Sequence, residues 1–179
     1  MLRRVAVRLG ERLIWLSMRK CSALMFNIIV RGAYRILEGR YGPDEVIGIM
    51  REVGRKAGYH LAYDMACRWG QVLLARRVEE FADEIRAGHY IYLGTEAEVE
   101  VEKGEGEVVV RVRDPRCIVC EGVKADFNYC EMIASGHEGA HTVVAELMGI
   151  PVRVEARETR CRARGDPYCE FEIKYVRLE

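Results

Sequence analysis

The hydrophobic period of the chain changes near Gly94, and this change restricts the fold more than any other feature. Before it, apolar residues recur every three to four positions, the spacing of one helix face. After it they alternate every second residue, the spacing of a strand with one buried face. Met25, Ile28, Ile29, Ala33, Ile36 and Leu37 mark a first helical stripe, closed by Gly39 and Gly42. Gly42-Pro43-Asp44-Glu45 opens a second helix, because Pro suits the first helical position and acids in the first turn complement the dipole. Val46, Met50, Val53, Ala57 and Leu61 form its predicted buried stripe. Leu74, Val78, Phe81 and Ile85 mark a third helix, with Gly88 as its stop.

Beyond Gly94, Ala97, Val99 and Val101 alternate with glutamates, and Lys103-Gly104-Glu105-Gly106 supplies a turn before Val108, Val110 and Val112 alternate again. This pattern predicts a β-hairpin. Ile133, Ala140, Val144 and Leu147 predict a helix ending at Gly149-Ile150-Pro151. A second hairpin follows: Val152, Val154 and Ala156, then the turn Arg164-Gly165-Asp166-Pro167, then Cys169, Phe171, Ile173 and Tyr175 alternating with Glu170, Glu172 and Lys174. The expected fold is α+β: N-terminal helices packed on an antiparallel sheet of two hairpins, with one helix inserted between them. At 179 residues the chain reads as a single domain, 1–179, with residues 1–20 as a basic arm carrying Arg3, Arg4, Arg8, Arg12, Arg19 and Lys20 against Glu11 alone.

Lys plus Arg equals Asp plus Glu, 28 each, which argues against nucleic acid or an acidic membrane as the main partner; the arm reads as a solvated face. No apolar run approaches the ~20 residues of a membrane span, and no secretory h-region follows Arg3 and Arg4, so a cytoplasmic protein is expected. Arg (23) and Glu (22) dominate the charges, with one Gln and two Asn, a composition that leans towards a thermophile.

Five of the seven cysteines lie between Cys117 and Cys169, and clustered thiols in a cytosolic chain point to metal or catalysis before a disulfide frame. Cys161 and Cys169 flank the Gly165-Asp166 turn. Glu158 precedes Cys161 by three residues, so strict alternation turns the two to opposite faces. They converge only if the strand ends or bulges around Thr159-Arg160. With Cys130 from the start of the preceding helix, a closed Cys3Glu set then results, which suits a structural zinc. A Cys161–Cys169 disulfide, or thiols used as small buried hydrophobes, fits the same spacing. Cys117-Ile118-Val119-Cys120 adds a CxxC that reads as half of a second site or a redox pair.

His137-Glu138-Gly139-Ala140-His141 matches H-E-x-x-H, the zincin signature, with Glu138 as base and Glu155 or Glu158 as the imagined third ligand. Gly136 and Gly139 make this a weak helix for a rigid catalytic site, and the match reads as incidental. A helical layer over a sheet can also enclose an apolar pocket. Trp69, Tyr90, Tyr92, Phe127, His137 and His141 are its candidate lining, for a small apolar or aromatic ligand.

The tail Glu-Thr-Arg-Cys-Arg-Ala-Arg-Gly-Asp-Pro-Tyr-Cys-Glu-Phe-Glu-Ile, 158–173, resembles the closing motif of the 4-vinyl reductase-type (hydrocarbon-binding) domain family. Cys130, Ser135-Gly136, Gly149 and the Val-rich strand into Glu158 fit the same pattern. The resemblance extends over roughly Gly10 to Tyr175, with its specific part in Cys117–Ile173. It implies the fold shared with TRAPP vesicle-tethering subunits and haem nitric-oxide-binding domains. It also implies a zinc held by Cys130, Glu158, Cys161 and Cys169, a small-molecule pocket between helices and sheet, and a homodimer formed through N-terminal helices. Val110–Arg116 stands where the family's phenol sensors carry an aromatic-rich stretch. The expected function is that of a stand-alone, non-enzymatic sensor or regulatory module. A TRAPP-like interaction scaffold is the alternative, and an H-E-x-x-H hydrolase ranks below both.

Overall fold

The computed structural model describes residues 23–67 and 77–178. The basic arm, Leu74 and Trp69 lie outside the described residues. Among the described residues the order is α1 (Ala23–Glu38), α2 (Pro43–Cys67), α3 (Phe81–Gly88), β1 (Glu98–Lys103), β2 (Glu107–Asp114), α4 (Glu131–Met148), β3 (Val152–Arg160) and β4 (Cys169–Arg177). The strands form one antiparallel sheet in the order β1-β2-β4-β3, so the two hairpins join through β2 and β4. This is the expected α+β arrangement, with α4 inserted between the hairpins. No helix among the described residues is long and apolar enough to cross a membrane.

Register explains the core. Val110 faces Ile173 and Val112 faces Phe171 across β2 and β4, while Ala156 faces Ile173 and Val154 faces Tyr175 across β3 and β4. All seven are buried on the face that the helices cover. The opposite face was expected to be wet, yet Glu170 and Glu172 are only 8% exposed. Arginines from the neighbouring strands cover them: Arg113 Nε donates to Glu170 at 2.8 Å and Arg157 Nη2 to Glu172 at 2.7 Å.

The helices form where the periodicity places them, but several stripes face elsewhere. In α1, Met25, Ile28, Ile29 and Ile36 are exposed, and the buried side is Asn27, Val30 and Tyr34. In α2, Val46 and Met50 are buried as expected, whereas Val53, Ala57 and Leu61 point outward. Their place is taken by Gly54 and Gly58. A Cβ on Gly54 would lie 2.1 Å from the Met132 carbonyl oxygen, and one on Gly58 2.0 Å from that of Gly136. A Cβ on Gly139 of α4 would meet the Arg55 carbonyl oxygen at 1.9 Å. The two helices thus approach backbone to backbone, and the glycines that weaken α4 as an isolated helix are what its packing requires. In α4, Val144 is buried, Ile133 and Ala140 half-buried, and Leu147 exposed. Gly88 does not stop α3: the chain continues into a π-helical turn, His89–Leu93, and ends at Gly94 with φ 67°. That extra turn carries His89 into the core.

Candidate metal centre

Five thiols and one carboxyl group meet where α4 begins and the last hairpin turns. The β3–β4 register shifts between Glu158 and Arg160, leaving Thr159 as the extra residue of a bulge. Glu158 and Cys161 therefore both point inward and are 3% and 0% exposed. Thr159 Oγ1 holds the bulge by donating to Glu170 Oε1 at 2.9 Å. Past Cys161 a 3-10 turn, Arg162–Arg164, reaches Gly165 at φ 104°, a left-handed conformation that favours glycine. Asp166 accepts the Cys161 N–H at 2.9 Å, and the returning strand brings in Cys169, whose sulfur accepts the Arg162 N–H at 3.4 Å.

Cys130 immediately precedes α4. Its N–H donates to Glu158 Oε2 at 2.8 Å, while the Glu158 N–H donates to Glu131 Oε1 at 3.2 Å. Glu131 is held in turn by Arg51 at 2.5 Å. Glu158 Oε1 is buried without a hydrogen-bond partner. Burial raises the Glu158 carboxyl to about 10, with Cys161 adding to the shift, and burial pushes the Cys130 thiol up as well. A buried carboxyl group with one orphaned oxygen beside thiols is the setting a divalent cation relieves.

Cys117 and Cys120 complete the cluster. The CxxC, read from the sequence as half of a second site or a redox pair, is folded onto Cys130 by the 3-10 turn Ile118–Cys120. The Cys117 and Cys130 sulfurs are 3.5 Å apart, and Cys120 lies 3.0 Å from Cys130, 3.6 Å from Cys161 and 3.5 Å from Cys169. Gly122 at φ 67° turns the chain away, and Ala125 N–H pins the following loop to the Ala163 carbonyl at 2.9 Å. From α1, Asn27 donates to the Val119 carbonyl at 3.3 Å and Tyr34 Oη to that of Tyr129 at 2.7 Å. The six cysteines among the described residues are free thiols, five buried and Cys67 exposed. The cross-strand Cys161–Cys169 disulfide is therefore not formed. Two groups of four donors have all their ligand atoms within 4.8 Å of one another: Cys130, Glu158, Cys161 and Cys169, and Cys117, Cys120, Cys130 and Cys169.

The H-E-x-x-H residues take other roles. Glu138 Oε2 accepts from Arg51 at 3.1 Å and from the Ala156 N–H at 3.1 Å, bracing α4 against α2 and β3. Glu155 is exposed and pairs with Arg153. His137 Nε2 sits 3.0 Å from His89 Nε2, and His141 packs on Phe81 and Tyr175 with ring centroids 5.3 and 5.9 Å away. No histidine among the described residues joins a metal-competent group of three donors. Burial lowers both imidazoles, His141 to about 4, so both are neutral at pH 7. Sequence reasoning missed His89, which lies 48 residues from His137 and reaches it only through the π-helical turn.

Among the candidate pocket residues whose side chains are described, His137 and His141 are neighbours, and Phe127 packs in a different group. Phe127 packs with Tyr34 and Tyr129, beside a cleft of about 260 Å³ between α1 and the 122–129 loop. His137 and His141 lie under the sheet with Phe171 and Phe81. Tyr90 is half-buried on the π-helical turn, and the Tyr92 side chain lies outside the described part.

No protein-family model matches the chain, and no curated protein matches its sequence. Solved structures do match in fold. Subunit 3 of the trafficking protein particle complex from Naegleria fowleri, covalently bound to palmitic acid, is 17% identical with a TM-score of 0.69, over 88% of this chain and 98% of that one. The phenol-responsive sensory domain of the transcription activator PoxR, with phenol, is 17% identical with a TM-score of 0.61, over 88% and 76%. A vinyl-4-reductase family protein from Methanocaldococcus jannaschii is 15% identical with a TM-score of 0.51, over 97% and 92%.

Proposed function

We propose that this chain, which has the fold common to vinyl-4-reductase-type domains, trafficking-particle subunits and a phenol sensor, is a cytosolic, dimeric small-molecule-binding module clamped by a structural zinc. The carrying observation is the buried Glu158 carboxyl, with one oxygen on the Cys130 N–H and the other unpartnered among thiols. Cys130, Glu158, Cys161 and Cys169 would complete a four-ligand shell with no open position for substrate, so the ion would cross-link α4 to the last hairpin and supply folding energy. Buried free thiols suit a reducing compartment. Natively purified protein should contain zinc, with less in Cys161→Ser, and chelation should lower its melting temperature. A metal-free chain whose melt ignores chelators would remove this reading.

The ligand would sit between α3, α4 and the sheet, where Phe81, Phe171 and Tyr175 offer apolar walls and His137 and His141 polar tips, an environment for a small apolar or aromatic molecule. A scaffold reading also has a specific observation behind it: these rings and His89 pack on one another with centroids 5.1 to 6.2 Å apart, so core side chains fill that space. Thermal-shift titrations with phenol and with palmitate separate the two. A saturable shift with phenol, lost in His137→Ala, supports the sensor; no shift with phenol, whether or not palmitate binds, supports the scaffold.

The dimer would form through α1. Met25, Ile28, Ile29 and Ile36 are each 58–61% exposed and share one side of the helix with Gly32, where an added Cβ would meet nothing within 4 Å. Such a stripe matches a second copy of itself across a two-fold axis.

A further inference from the structure

We propose that the thiol cluster is a binuclear site, in which Cys130 and Cys169 bridge two divalent zinc-class ions. This rests on the zinc reading above and doubles it. The two donor groups share two members, Cys130 and Cys169, and differ in two: Glu158 and Cys161 on one side, Cys117 and Cys120 on the other. Six donors divided in this way give each of two ions four ligands, provided that each shared thiolate binds both ions.

Spacing supports this division. Four sulfurs around one zinc at about 2.3 Å stand about 3.8 Å apart. The bridging pair is separated by 3.9 Å, and Cys117–Cys130 and Cys120–Cys169 by 3.5 Å each; Cys120–Cys130, at 3.0 Å, is the pair that an ion would have to spread. Cys120 touches Cys161 at 3.6 Å, so the two halves abut without any residue between them. A mononuclear site at the Glu158 side leaves Cys117 and Cys120 as two buried thiols satisfied by sulfur neighbours and, for Cys117, by the Cys120 backbone N–H. A four-iron cluster sets each thiolate on a different iron with inorganic sulfide between, and so holds its thiolates further apart than the sulfur contacts here. Hydrogen bonds from the surrounding chain reach both halves. Arg162 N–H donates to Cys169 Sγ, and its guanidinium reaches the Cys117 carbonyl at 3.5 Å. The Cys130 N–H fixes the Glu158 carboxyl group. Five thiolates and one carboxylate around two divalent cations would leave a local charge of −2 beside Arg162.

Native mass spectrometry of the intact chain, with elemental analysis, reads the stoichiometry directly. Two zinc per chain are expected, and cobalt titrated into metal-free protein should reach its absorption endpoint at two equivalents. Cys117→Ser/Cys120→Ser and Cys161→Ser should each retain one ion, with far-UV circular dichroism as the check on folding. One zinc in the wild type, unchanged in the Cys117→Ser/Cys120→Ser chain, overturns the binuclear site and leaves the zinc reading standing. No metal in the wild type overturns both. Iron with acid-labile sulfide overturns both in favour of a cluster. If the double variant fails to fold, the wild-type count and the cobalt endpoint still decide.

Discussion

His141 shows at the scale of one residue how burial sets a pH response. Its Nδ1 is buried without a partner, and its ring is held between Phe81 and Tyr175, so the charged form has nothing to solvate it. The pKa falls from 6.5 to about 4. A histidine depressed in the folded state binds its proton in the unfolded chain first, so stability is intact above pH 6.5 and declines as pH falls towards 4. The expected loss is on the order of 3 kcal/mol across that window. Urea unfolding at pH 7, 5.5 and 4.5 should show this slope, reduced in His141→Phe, which keeps the ring contacts and removes the titration. An equal slope in the variant would assign the acid sensitivity to other groups, the thiol cluster first. Glu158 was legible in the sequence because, three residues from Cys161, it converges with that thiol only if the strand ends or bulges, and a bulge is present at Thr159. His89 was not legible, because no local pattern announces a π-helical turn that carries a helix past Gly88.

Between elements, the α2–α4 contact carries an opposite-sign prediction within one helix. Gly48 and Gly58 both lie in α2, and replacing either by Ala removes glycine's helix penalty of about 1 kcal/mol. At Gly48 the new methyl meets nothing within 4 Å, so Gly48→Ala should stabilise by up to about that amount. At Gly58 it would meet the Gly136 carbonyl at 2.0 Å and force the helices apart, an overpacking cost of about 1–3 kcal/mol or more that outweighs the propensity gain. Denaturant midpoints should therefore move up for Gly48→Ala and down for Gly58→Ala; a rise in both would mean that the interface is looser than described. The same contact explains why the stripe Val53, Ala57 and Leu61 was misassigned. Hydropathy periodicity follows large apolar side chains, whereas here the buried face is defined by residues that have none. Glu170 and Glu172 fail the pattern for a related reason: alternation predicts which face a strand residue takes, but says nothing about arginines from adjacent strands closing over it.

At the scale of the whole molecule, α1 joins two proposals that the sequence kept apart. Its buried side grips the thiol-bearing loop through Asn27 to Val119 and Tyr34 to Tyr129, and Tyr34 stacks on Tyr129 with centroids 4.1 Å apart. Its outer side presents Met25, Ile28, Ile29 and Ile36. If those residues meet a second copy, one helix transmits strain between the metal centre and the dimer contact. Ile28→Glu/Ile36→Glu places two charges on the proposed interface and touches nothing in the core, so light scattering should show the mass fall from two chains to one while zinc content stays unchanged. A mass equal to one chain in the wild type would remove α1 as a dimer contact. Removing the metal should act from the other side: with the 117–130 loop no longer tied to Cys161 and Cys169, α1 loses its inner support, and dimer dissociation should occur at higher protein concentration in chelator than in zinc. A dissociation constant indifferent to chelation would separate the two sites and leave α1 as an interface alone.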